Sequence, residues 1–136
     1  MKNKKHLNVP FYEILGKLFY AIAAIDGAIK PVEFNKLKEI IKTQWLDETE
    51  DNFQTDAIYQ IEVVFNWLNV QNNLNSEALF KDFVEYKNEH NHFFTPPIKK
   101  LIIKTAHGIA DSFCRKNKSE LILLAKLDME LKKTND

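Results

Sequence analysis

Cysteine is almost missing from this chain: there is one, Cys114, in 136 residues. A single thiol excludes an internal disulfide and suits a reducing compartment. Glycine is nearly as scarce, with three in all, and none falls in a stretch patterned as a strand, which argues against a sheet. Neither charge sign is in excess, since nineteen basic residues balance nineteen acidic ones. No overall field therefore draws in nucleic acid or an anionic membrane. There is no run of about eighteen apolar residues, so no membrane span is expected. Lys2 to Lys5 followed by Ala21-Ile22-Ala23 imitates a secretory signal, but Glu13 and Lys17 interrupt the apolar core a signal needs. The expectation is a cytoplasmic protein. Gly-x-Ser-x-Gly, phosphate-binding glycine loops and dinucleotide fingerprints are also missing.

What remains is helical periodicity. Hydrophobic residues make up 45% and charged residues 28%, the composition of an ordinary globular domain. A single domain over 1–136 is expected, with 1–10 a flexible segment. Phe11, Ile14, Leu15, Leu18, Ile22 and Ile25 share one helical stripe, with Glu13 and Lys17 off it. A second helix opens at Pro31, whose missing N–H costs nothing in a first turn, and carries Phe34, Leu37, Ile40, Ile41 and Trp45. The acidic run Asp47 to Asp51 reads as a loop. A third helix over roughly 54–70 carries Ile58, Ile61, Phe65 and Leu68. Asn75 or Ser76 caps a shorter fourth helix with Leu79, Phe80, Phe83 and Val84. His90 to Thr95 is a connector, and Pro96-Pro97 opens a fifth helix with Ile98, Leu101, Ile102, Thr105 and Ile109 on one face. A last helix begins near Asn117, whose Asn117-Lys118-Ser119-Glu120 resembles a capping box. The fold class expected is all-α, a compact bundle of about six to seven helices.

One stretch has the look of a signature: Ala24-Ile25-Asp26-Gly27-Ala28-Ile29-Lys30-Pro31-Val32-Glu33. An apolar helix stops at Asp26-Gly27, where glycine supplies a left-handed cap. The next helix then places Glu33 in its first turn, where a carboxylate meets the positive helix end. Aligning Glu33 with Glu120 brings Ile22-Ala23 onto Ile109-Ala110 and Phe34 onto Leu121, a weak internal two-fold repeat of a helical hairpin. Phe113 and Cys114 stand where the second Asp-Gly would be, and Asp111 lies two positions earlier.

Asp26-Gly27, the aliphatic Ile29, Glu33 and Phe34-x-x-Leu37 together resemble the TerB family, the tellurite-resistance-associated helical domain, and the related N-terminal region of DjlA-type J-proteins. The likeness runs over roughly residues 11–131. It implies an all-α fold of six or seven helices with internal two-fold similarity, a place in stress-response complexes, and an acidic surface that binds a divalent cation. Carried over residue by residue, that metal surface comprises Asp26, Glu33 and Glu120.

Each candidate also has a plainer role. Asp26 ends a helix, where its charge opposes the dipole by roughly 0.3–1 kcal/mol. A cation, Lys30 or N–H groups of its own turn would offset that, and aspartate before glycine commonly caps a turn. Asp26 to Glu33 matches the second half of a calcium-binding EF-hand loop, but the upstream ligand positions are Ile22 and Ala24, which bring no side-chain oxygen. His90 and His92 would need further ligands to hold zinc and read as exposed loop residues. His107, beside Gly108, reaches solvent or a backbone carbonyl. Cys114, before Arg115-Lys116, reads as an inert helix-end thiol. Phe93, Phe94, Trp45 and Trp67 read as core or packing anchors, since basic residues do not interleave with them as in a base-stacking platform.

The expected function is a non-enzymatic TerB-like binding or scaffold module whose acidic turn contacts a cation or a basic surface of a protein partner. Two rivals differ in class. One is an interaction module that binds through an apolar groove between helices, without metal. The other is an enzyme or cofactor carrier built inside a helix bundle, which needs inward-facing carboxylates such as Glu62 and Glu85 around a metal and a Glu-x-x-His spacing, the near miss being Glu89-His90-Asn91-His92.

Overall fold

The computed structural model describes residues 3–25, 29–48, 51–70, 75–113 and 118–133, with side chains except those of 3–9, 45–48, 51–57 and 113. Six α-helices and one short 3-10 turn make up the described chain, with no strand among these residues: α1 Asn3–Ala23, α2 Pro31–Glu48, α3 Asp51–Asn69, α4 Ser76–Glu89, α5 Pro96–Phe113 and α6 Lys118–Lys132. The 3-10 turn, Asn91–Phe93, joins α4 to α5.

Helix α1 is the hub of the bundle, packing against α3, α4, α5 and α6. From Phe11 to Ala23 it is buried nearly all round, with only Glu13 and Lys17 reaching outward. A helix apolar on most of its circumference belongs inside a bundle rather than on its surface. Helix α2 packs on α5 and α3 through Leu37 and Ile41, and α6 lies along α5 with Leu123, Leu124, Leu127 and Leu131 turned inward. The aromatic knot of Phe11, Phe83 and Phe94, with ring centroids 5.3 and 5.8 Å apart, pins the connector after α4 onto α1.

Several ends fall where local chemistry puts them. Asn75 Oδ1 accepts from the N–H groups of Glu77 and Ala78 at 2.8 and 3.1 Å, capping α4. Pro31 is the first residue of α2, and Pro96 the first of α5. Other boundaries differ from the pattern. The first helix reaches back to Asn3 through the segment read as flexible, with Pro10 inside it. Helix α2 runs on to Glu48 and α3 starts at Asp51, so most of the acidic run read as a loop is helical. The dipole of α3 favours an acid at its start, Asp51, whereas Asp47 and Glu48 end α2 against its dipole.

Gly16 has a specific reason to be glycine. A Cβ there would stand 2.9 Å from Val64 Cβ, and Ile61 O would lie at 3.4 Å. The missing side chain is what lets α1 and α3 approach. No two-fold relation between the α1–α2 and α5–α6 pairs is confirmed. Helix α6 packs along α5, while the main neighbours of α1 are α3 and α4.

Candidate functional site

Glu33 occupies the third position of α2, and its Oε1 accepts from the Lys30 N–H at 3.0 Å. That bond is the return arm of a capping box, and it satisfies a donor the helix start leaves open. Glu120 occupies the third position of α6 but is 1% exposed. Asp26 lies outside the described residues, as do Gly27 and Asn117. Among the described residues no three His, Cys, Asp or Glu side chains come together as a metal site. The helices bearing Glu33 and Glu120 both pack on α5.

His90 and His92 belong to an aromatic stack. The His90 ring lies 4.2 Å from Tyr86 and parallel to Phe93 at 5.7 Å, and the His92 ring is 4.3 Å from Phe93. His107 is half exposed and faces Asp128 across α5 and α6, Nε2 to Oδ1 3.7 Å. Glu85 is exposed and Glu62 half-buried, so the inward pair that a metal-carrying bundle requires is not formed. Cys114 and the Trp45 side chain lie outside the described residues. Phe94 is a core residue as expected, but Trp67 is not: it is 56% exposed on α3.

Lys87 escaped the sequence reading altogether. It is 2% exposed, on α4, with its Nζ 3.9 Å from Glu130 Oε1 on α6. Burial pushes the ammonium below its ordinary 10.5; Glu130 opposes that shift, while Lys99 and Lys133 add to it. Glu130 also holds Lys133 at 3.0 Å near the surface. In the sequence Lys87 falls seven residues after Phe80 and four after Phe83, on the apolar stripe of α4, and that spacing is the signal that marks it.

An open, shaped surface lies between α4 and α6. Two adjoining depressions, about 550 and 470 Å³, share Asn75, Glu77, Leu123 and Lys126. Their apolar lining comes from the end of α1 (Ile25), from α4 (Ala78, Phe80, Val84) and from α6 (Ile122, Leu123). Ser76 Oγ donates to Ala21 O at 2.9 Å, which ties the start of α4 to the end of α1 at one end of the groove. Ile122 is 48% exposed. Lys81 and Lys126 border the groove against a single acid, Glu77, and the first turns of α4 and α6, the positive helix ends, open onto it.

Compared with known proteins, the chain matches no family model, no curated protein and no solved structure. No described helix is long and apolar enough to cross a membrane.

Proposed function

We propose that this chain is a non-enzymatic, TerB-like binding domain that docks an amphipathic helix of a partner protein in the groove between α4 and α6. The observation that carries this reading is the groove itself, a depression of mixed polar and apolar lining left open between two helices and bordered by lysines, with its apolar part toward Phe80, Val84 and Leu123. Helix-in-groove recognition needs a row of apolar anchors and a charge pattern on the flanks. Here the floor takes apolar anchors, while Lys81, Lys126 and two helix N-termini favour carboxylates on the incoming helix. The all-helical bundle, the helix opening at Pro31 and the first-turn Glu33 support the TerB-like part of the reading. The cation-binding reading of Asp26, Glu33 and Glu120 has no comparable support: Glu33 caps its own helix and Glu120 is inside the protein.

The test is a titration of ¹⁵N-labelled protein with a synthetic amphipathic peptide of leucine and glutamate. Amide shifts are expected at Ile25, Ala78, Val84, Ile122 and Leu123. Ile122→Glu, a change at a half-exposed position, is expected to weaken binding at least tenfold. Shifts confined to other helices, or an unchanged affinity in the variant, would refute the reading.

A further inference from the structure

Helices α4 and α6 run in the same direction along the groove. At one end Asn75, Ser76 and Glu77, the cap and first turn of α4, line the first depression together with Ser119 and Ile122 from the start of α6. Farther along, Phe80, Lys81 and Val84 line the second with Leu123 and Lys126. Beyond both, Lys87 Nζ lies 3.9 Å from Glu130 Oε1. The two helices thus advance together, about 18 Å from Asn75 to Lys87 and about 17 Å from Ser119 to Glu130 at 1.5 Å per residue. Helix α1, which packs against both, runs the other way. Ala21 O accepts from Ser76 Oγ at 2.9 Å, and Lys17 Nζ is 3.5 Å from Asp82 Oδ2, so the end of α1 lies beside the start of α4.

Two parallel helices set their positive ends together. Each helix start carries the equivalent of about half a positive charge, and both starts open onto the same end of this groove. Glu77, the one acid in the lining, opposes them. Lys126 lines both depressions and forms no ion pair among the described residues, so its charge is left for an incoming group. A helix entering parallel to α4 and α6 would bring a third positive end to this place. One entering antiparallel brings its negative end, with the last carbonyl groups that no N–H of its own satisfies.

We propose, resting on the groove reading above, that the partner helix docks antiparallel to α4 and α6. Its carboxy-terminal turn lies over Ser76 and Ser119, and its amino-terminal end points toward Lys87 and Glu130. Its apolar stripe covers Phe80, Val84 and Leu123, and a carboxylate between its anchors meets Lys126. The incoming helix then opposes the direction of both its neighbours, as α1 does beneath them.

The probe is an amphipathic leucine–glutamate peptide of about 18 residues, about 27 Å long as a helix, with a nitroxide at one end or the other. It is added to the ¹⁵N-labelled full chain. With the nitroxide at the carboxy end, the amides of Ser76, Glu77 and Ser119 are expected to lose most of their intensity, while Val84 and Glu130 keep theirs. Moving it to the amino end should exchange the two sets. In Ile122→Glu most of the broadening should disappear at the same peptide concentration. The opposite pattern, or the same pattern from both labels, would overturn the orientation and leave the groove as the docking site. Broadening away from the groove, broadening unchanged in Ile122→Glu, or no binding would overturn the groove reading and the orientation together.

Discussion

Glu33 and Glu120 stand at the same position of their helices and yet have different lives, one capping α2 at a half-exposed site and the other buried on the inner side of α6. Position along a helix is local and legible in sequence; burial depends on which neighbour the face meets. Lys87 makes the same point with a consequence for stability. Its folded pKa is below the ordinary 10.5 because burial disfavours the charged form. From the lowered value up to 10.5 the unfolded chain therefore binds more protons than the folded one, so this group makes the fold more stable as pH rises through that window. The penalty it carries at neutral pH is relieved there. Tyr20 and Tyr86, raised by burial above 10.0, act the other way above pH 10. We expect Lys87→Met to leave the protein between unchanged and about 1 kcal/mol more stable at pH 7, since Glu130 keeps Lys133 at 3.0 Å. Chemical denaturation of both forms from pH 7 to 11 isolates the lysine, because the tyrosine contributions cancel in the difference. That difference should shrink or reverse as pH rises, and a flat one would refute the assignment.

At the scale of elements, two helical glycines have opposite reasons to exist. Alanine is favoured over glycine in a helix interior by about 1 kcal/mol. At Gly16 the added methyl would meet Val64 Cβ at 2.9 Å, and forcing α1 from α3 costs typically 1–3 kcal/mol. At Gly108 the nearest atoms are Gln44 Nε2 at 3.8 Å and Ile40 Cγ2 at 3.9 Å, ordinary contact. Gly16→Ala should therefore lower the urea midpoint. Gly108→Ala should be neutral or stabilising by about 0.5–1 kcal/mol. Similar effects at both sites would mean that helix propensity, and not close approach, governs Gly16. The elements themselves were largely legible. Pro31, Asn75 and Pro96 mark helix starts because a cap or a missing N–H acts within one turn. Of the run Asp47 to Asp51 read as a loop, Asp47 and Glu48 end α2 and Asp51 opens α3, while 49–50 lie outside the described residues; an acidic residue at a helix start, such as Asp51, is as compatible with a helix as with a loop.

For the molecule as a whole, the proposed docking groove and the exposed apolar row of α3, Tyr59, Val63, Trp67 and Val70, lie on different helices. Trp67→Ala should leave affinity for the leucine–glutamate peptide within about twofold, as expected for independent sites. Loss of binding in that variant would move the docking surface to α3. Neither surface was visible beforehand. The four residues of the row are evenly spaced in the sequence, but α3 also has the buried row Ile58, Ile61, Phe65 and Leu68, and spacing does not say which one meets α1. The all-α class, the helix starts and the inward stripes were determined by the sequence itself, because backbone hydrogen bonds and side-chain periodicity close within a turn or two. Only the tertiary structure decided that α1 is the buried hub, that Lys87 and Glu120 lie inside, that Gly16 lets α3 come close, and that one aromatic face of α3 is left to solvent. Those are properties of helices that meet across long sequence separations, where the chain's local pattern carries no register.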